Sequence, residues 1–81
     1  MPTAALTQPA FMAASHPEQV APARKAILTA LDTQPTWEPT VLIEHVASIT
    51  GIHKDIVEFA TFELRAEQII AHNHDGLLGK K

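Results

Sequence analysis

The sequence predicts a mostly α-helical domain with a small β-hairpin near its C-terminal end. Three stretches carry apolar residues at helical spacing, and proline or glycine bounds each stretch. An Asp-Gly pair near the end of the chain lies between two short apolar segments, which is a hairpin signal. The domain is predicted to cover residues 21–81, and residues 1–20 are rich in alanine and proline, which predicts a flexible tail.

Composition excludes several classes of protein. The chain has 81 residues, a net charge of −3 and no cysteine. The absence of cysteine excludes disulfides, thiolate zinc sites and cysteine nucleophiles, and the negative charge excludes a generally basic DNA coat. No apolar run approaches the roughly 20 residues that cross a bilayer. Because the N-terminal region begins without lysine or arginine and is interrupted by Pro9, we expect no signal peptide, no membrane contact and a cytoplasmic location.

The first helix is predicted to begin at Pro22, because proline is favoured in the first helical turn. It ends before Pro35, since the residue that precedes proline avoids helical backbone angles. Its apolar stripe consists of Ile27, Leu28 and Leu31. The dipeptide Thr36-Trp37 lies between two prolines and favours extended structure, so it is a candidate for a very short strand.

Two further helices are predicted on either side of Gly51. The second runs from about Pro39 to Thr50, and Gly51 is expected to cap it with a positive φ. The third runs from about His53 to Ala66, with Phe62 at the edge between its apolar and polar arcs. The apolar arc comprises Ile52, Ile56, Val57, Phe59, Ala60 and Leu64. The polar arc comprises Lys54, Glu58, Thr61 and Arg65.

The remaining residues predict a hairpin. A strand is expected over residues 68–72, a turn over 73–76 and a returning strand over 77–81. The residues expected to be most buried in the whole domain are Ile27, Leu31, Leu42, Val46, Val57, Ala60, Leu64 and Ile70.

The spacing of Ala47, Gly51 and Val57 is that of a helix-turn-helix: a small residue, a turn glycine and a β-branched residue that fills the angle between the helices. Residues 22–81 therefore resemble the winged helix-turn-helix family, in which a helix, a short strand and two helices precede a two-stranded wing. The resemblance implies three helices plus a wing. A plain three-helix bundle with a frayed C-terminal end is the alternative fold.

This resemblance implies a small DNA-binding regulator whose third helix enters the major groove and whose hairpin acts as the wing. In such a protein, lysine and arginine would hold phosphates, and Thr61 would contact a base edge or a phosphate. The nucleic-acid-binding residues that the resemblance implies are Lys54, Thr61, Arg65, Lys80 and Lys81.

The charge of the third helix favours a second hypothesis, a protein–protein interaction module that does not bind DNA. Residues 53–67 contain two basic and four acidic side chains, and Glu58 follows Lys54 by one turn and could neutralise it. A monomer would expose Phe62, and an exposed aromatic residue often marks a contact with another protein or with a second copy of the chain. Alternatively, Phe11 or Met12 of the tail covers Phe62.

Other chemistries receive little support from the sequence. His72, His74 and Asp75 could together bind zinc or nickel, but this composition is also ordinary for a hairpin turn, so we expect no metal and no cofactor. No recognisable motif joins the few serine and histidine residues into a catalytic group. We therefore expect neither an enzyme nor a small-molecule substrate.

Overall fold

The computed structural model describes residues 16–81, which form three α-helices and a three-stranded antiparallel sheet. The mostly helical prediction is therefore confirmed. Most of the predicted tail, with Phe11 and Met12, lies outside the described residues. The elements are a 3-10 helix (Pro17–Gln19), α1 (Val20–Thr33), β1 (Thr36–Trp37), α2 (Pro39–Thr50), α3 (Lys54–Ala66), β2 (Ile70–His72) and β3 (Leu78–Lys80).

Helix α1 begins at Val20, earlier than the predicted start at Pro22. The first four N–H groups of an α-helix have no partner within the helix, so a proline in this turn removes no hydrogen bond. The helix ends at Thr33, as the position of Pro35 predicts. Helix α1 packs against both α2 and α3, so its buried stripe forms the centre of the domain.

A tight turn joins α2 to α3. Gly51 ends α2 with a φ of 74°, as predicted, and its N–H donates to the carbonyl oxygen of Ala47 at 2.9 Å. His53 precedes α3, and its Nδ1 accepts a hydrogen bond from the backbone N–H of Asp55 at 3.1 Å. These caps satisfy backbone groups that the helix ends would otherwise leave unpaired.

The sheet contains one more strand than the predicted C-terminal hairpin. Its order is β1-β3-β2, with Thr36 opposite Gly79 on one side of β3 and Ile70 opposite Lys80 on the other. The strands are therefore not confined to the C-terminal end of the domain. The local pattern predicted Thr36-Trp37 as a strand but not its partner, because β1 pairs with a strand far away in the sequence.

Strand β2 begins at Ile70, although the sequence predicted a start at Gln68. Gln68 has a φ of 63°, and its N–H donates to the carbonyl oxygen of Arg65 at 3.0 Å. The N–H of Ile69 donates to the carbonyl oxygen of Leu64, also at 3.0 Å. These two bonds form a left-handed helix cap that glycine usually provides, so residues 68 and 69 end α3 instead of starting the strand.

All eight residues predicted to be most buried lie in the core. One residue of the predicted polar arc joins them: Thr61 is only 4% exposed, so its placement on the polar face was wrong. Its hydroxyl donates to the carbonyl oxygen of Val57 at 2.9 Å. A threonine that bonds the preceding helical turn in this way can be buried without leaving its hydroxyl unpaired.

We expect Gly51→Val to destabilise the domain by about 1 kcal/mol or more, because a β-branched residue strongly disfavours positive φ. A Cβ added at this position would meet no atom within 4 Å outside the two neighbouring residues, so we expect the loss to come mainly from the backbone. Gly51→Asn should cost less, since asparagine tolerates left-handed geometry. Chemical denaturation measures both variants, and equal losses would contradict the backbone explanation.

We also expect Leu64→Ala to cost about 2–5 kcal/mol, because it leaves a cavity at a fully buried position. The matched control is Val41→Ala in α2, where the side chain is 51% exposed and should contribute little. Urea denaturation compares them. A loss at Leu64 no larger than that at Val41 would show that the core does not depend on this side chain.

Candidate functional site

The outer face of α3, defined here by Lys54, Glu58, Phe62 and Arg65, points away from the core. All four residues are exposed, and they recur at intervals of three or four residues, so they form one stripe along the helix. Phe62 is 64% exposed, as the sequence predicted. The stripe therefore combines two cations, a carboxylate and an aromatic ring.

The N-terminal end of this face is acidic. Lys54 shares a shallow depression with the three carboxylates of Glu44, Asp55 and Glu58. Within residues 16–81, however, Lys54 and Glu58 do not form the close ion pair that their spacing allowed. The ammonium group of Lys54 is therefore available to another partner, although it lies in a negative field.

Arg24 of α1 holds two of the four acidic side chains of residues 53–67. Its guanidinium forms a bidentate pair with Glu67, at 2.6 Å and 2.7 Å, and a further bond with Glu63 at 3.1 Å. The Glu67 and Glu63 carboxylates raise the pKa of Arg24 above its ordinary value. In return, the hydrogen bond from Arg24 lowers the pKa of Glu67. Glu63 and Glu67 thus lie on the α1 side of α3, not on its outer face.

Two cations share a groove with Phe62 at the C-terminal end of the face. Phe62 borders a groove of about 370 Å³ between α3 and β2, together with Arg65, His72 and Lys81. Within residues 16–81, neither Arg65 nor Lys81 is paired with a carboxylate. The Nζ of Lys81 donates to the Oε1 of Gln68 at 3.2 Å, which places the C-terminal lysine beside the end of α3. We name Arg65 and Lys81 the basic cluster.

The other side of Phe62 borders a second groove, which is more apolar. Its volume is about 580 Å³, and it separates α3 from the N-terminal turn of α2 and from the sheet. Ile43, Phe59 and Leu78 contribute apolar surface to it, and Glu58 lies at its edge. Phe62 is therefore a ridge between two grooves.

Two predicted nucleic-acid-binding residues have their polar groups bonded within the domain. Thr61 is buried, and its hydroxyl is already bonded within α3. Lys80 pairs through Nζ with the carboxylate of Asp32, at the C-terminal end of α1. The structure thus brings Arg65 and Lys81 together beside Phe62 and places Lys54 at the far end of α3. Thr61 lines the second groove with Arg65, but its hydroxyl is already bonded, and Lys80 is paired with Asp32.

The sequence analysis did not identify two features of this site. Arg24 carried no signal of its own, because its partners Glu63 and Glu67 are distant in the chain. His72 was considered as a possible metal ligand and as a residue presented by the hairpin, but its place in both grooves beside Phe62 was not predicted. The alternation of side chains in β2 was the available signal for His72, since it places this residue on the same face as Ile70.

The described residues provide no multidentate metal site. Residues 16–81 contain no group of three potential histidine, aspartate or glutamate ligands. His74 lies 3.7 Å from Asp75, and both side chains are well exposed at the hairpin turn. In the same part of the chain, no helix has the length and apolarity needed to cross a membrane.

No protein family, curated protein or solved structure matches this chain.

We expect Arg24→Met to flatten the dependence of stability on pH in acid. Because the pKa of Glu67 is lowered from its ordinary 4.5 in the folded protein, the stabilisation is full above that value. It is lost as the pH falls through the lower, folded-state pKa. The wild-type Tm should therefore exceed that of Arg24→Met at about pH 7, and the difference should shrink as the pH falls below 4.5. Thermal melts across this range test the expectation.

The control for this experiment is Lys25→Met, at the exposed neighbouring position of α1. It removes the same charge without touching Glu63 or Glu67. Its Tm difference from wild type should stay small at every pH. A similar convergence in both variants would assign the effect to net charge instead of the ion pair.

Proposed function

We propose that this domain is a winged helix-turn-helix that binds duplex DNA, with α3 in the major groove and the β2–β3 hairpin as the wing. The order of elements supports this proposal, because a helix, a short strand and two helices joined at Gly51 precede a hairpin. The pairing of β1 with β3 also supports it over a plain three-helix bundle, since it secures the hairpin to the body of the domain.

The observation that carries the proposal is the sorting of charge around α3. Counted along the sequence, residues 53–67 are net acidic, which argues against contact with phosphates. In three dimensions, Arg24 holds Glu63 and Glu67 on another side of the helix, and the basic cluster faces solvent. Lysine and arginine supply most of the sequence-independent affinity for DNA, so this end of α3 is the part suited to phosphates.

The length of α3 is also appropriate. Lys54 and Arg65 lie about 16 Å apart along the helix axis, at 1.5 Å per residue. The major groove of B-DNA is about 12 Å wide, so the two cations could reach phosphates on opposite strands. The side chains between them would then face the base edges. A domain of this size would act by occupying its site, which suits a small regulator of transcription.

A specific observation favours one alternative, a protein-interaction module that does not bind DNA. Phe62 is 64% exposed and borders an apolar groove with Ile43 and Phe59. Buried aromatic anchors dominate the binding energy of many protein interfaces. In this alternative, Phe62→Ala would abolish self-association or the binding of a partner. Arg65 and Lys81 would matter little.

We expect the double substitution of Arg65 and Lys81 by alanine to weaken binding to a random-sequence DNA duplex. The slope of log affinity against log salt should fall by about one for each phosphate that the variant no longer binds. Fluorescence anisotropy at several salt concentrations gives the slope. Both residues are exposed, and neither joins an ion pair within residues 16–81. The variant loses one exposed bond, from Lys81 to Gln68, and should still fold.

The matched control replaces Lys25 and Lys80 by alanine, which removes the same positive charge elsewhere. Lys25 borders the groove between α1 and α2, and Lys80 pairs with Asp32. The salt slope of this control should stay close to that of the wild type. Equal slopes for the two double variants would reject the basic cluster as the phosphate-binding surface. If the wild-type protein does not bind the duplex, the DNA proposal itself is rejected.

A further inference from the structure

Two residues of the outer face of α3, Phe62 and Glu58, are unsuited to binding phosphate. Phe62 has no charge, and Glu58 would be repelled by the DNA backbone. They lie one helical turn apart between the cations Lys54 and Arg65, and both are exposed. In the proposed complex this is the stretch of helix nearest the bases.

We propose that Phe62 and Glu58 are specificity-determining residues for a pair of pyrimidines. Phe62 contacts the 5-methyl group of a thymine, and Glu58 accepts a hydrogen bond from the N4 amino group of a nearby cytosine. This inference rests on the proposed binding of α3 in the major groove. It names the bases that the same surface would distinguish.

The chemistry of the major groove supports each assignment. Thymine carries the one methyl group on that groove edge, and apolar side chains contact it favourably. Cytosine presents an amino donor there, which suits a carboxylate. Glu58 and Phe62 are about 6 Å apart along the helix, and base pairs stack about 3.4 Å apart, so the two pyrimidines would lie within one or two base pairs of each other.

The surroundings of Phe62 favour a base over a protein partner. The ring lies beside Arg65, His72 and Lys81 in one groove. A protein interface centred on Phe62 would have to bury Lys81, and lysine is depleted from protein interfaces. Duplex DNA would pair Arg65 and Lys81 with phosphates while the ring contacts a base, so both kinds of group would have a partner.

The first experiment tests the methyl contact. Binding sites for the full chain are selected from a pool of randomised duplexes, and each thymine of the selected site is then replaced in turn by deoxyuridine, which lacks only the methyl group. We expect one replacement to weaken wild-type binding about four-fold, the effect of removing one buried methyl group. In Phe62→Ala, thymine and uracil should bind equally at that position.

A matched control is Ile69→Ala, which shortens another exposed apolar side chain outside the outer face of α3. It should keep the wild-type preference for thymine. Circular dichroism confirms that each variant is folded. If DNA is selected but no thymine responds to removal of its methyl group, or if Phe62→Ala still prefers thymine to uracil, the inference about Phe62 is wrong.

The second experiment tests Glu58 by repeating the selection with Glu58→Gln. Glutamine bonds adenine in the major groove, so the preference for cytosine should change to adenine at one position, near the thymine that responds to Phe62. An unchanged selected sequence would reject the role of Glu58. If the wild-type chain selects no sequence and does not bind any duplex, the proposed function fails instead. Loss of a protein complex in Phe62→Ala, with DNA binding unchanged, would support the protein-interaction alternative and overturn the inference.

Discussion

The left-handed turn at Gly51 determines the direction in which α3 leaves α2, and the outer face of α3 depends on that direction. The turn is held by the bond from the Gly51 N–H to Ala47 and by Thr50, whose hydroxyl donates to Val46 and accepts from the N–H of Ile52. Val57 lies fully buried just beyond it. A change in this angle would separate Val57 from the core and rotate Phe62 and Arg65 relative to the hairpin.

The sheet provides the second constraint, because it fixes the hairpin beside α3. In the middle of β3, a Cβ added to Gly79 would lie 2.9 Å from the carbonyl oxygen of Pro35, so only glycine lets the chain before β1 approach so closely. Leu78 and Ile70 then bury their side chains in the core from adjacent strands. This anchoring holds His72 and Lys81 next to α3, although β2 and β3 are short.

The sequence predicted what local chemistry controls. Helix positions followed from apolar spacing and from Pro35, Pro39 and Gly51, and the Asp-Gly signal placed the hairpin turn. Two other features depend on partners remote in the chain: Arg24 paired with Glu67, and Lys80 paired with Asp32. No local pattern specifies such pairs. They matter because the first holds two carboxylates away from the outer face and the second pairs a cation of the β2–β3 hairpin.

Individual residues can also overcome their usual preferences. Gln68 adopts a positive φ that costs roughly 1–2 kcal/mol for a residue with a Cβ. Its N–H and that of Ile69 bond the last turn of α3, and its side chain accepts from Lys81. Thr61 is buried because the preceding turn accepts its hydroxyl. In both cases hydrogen bonds offset a cost in free energy: the positive φ of Gln68 and the burial of the Thr61 hydroxyl. Residue propensities alone do not reveal this compensation.

Internal pairing of charge has a consequence for recognition. Of the six lysine and arginine residues in the chain, Arg24 and Lys80 are held by carboxylates of the domain itself. Few cations therefore remain to bind phosphates, so any non-specific affinity for DNA should be weak and should change little with salt. A domain with such a small electrostatic contribution must obtain a larger share of its binding energy from contacts with bases. An aromatic ring and a carboxylate in the middle of α3 are therefore consistent with DNA binding, because direct readout of bases is the contribution that phosphate contacts cannot supply.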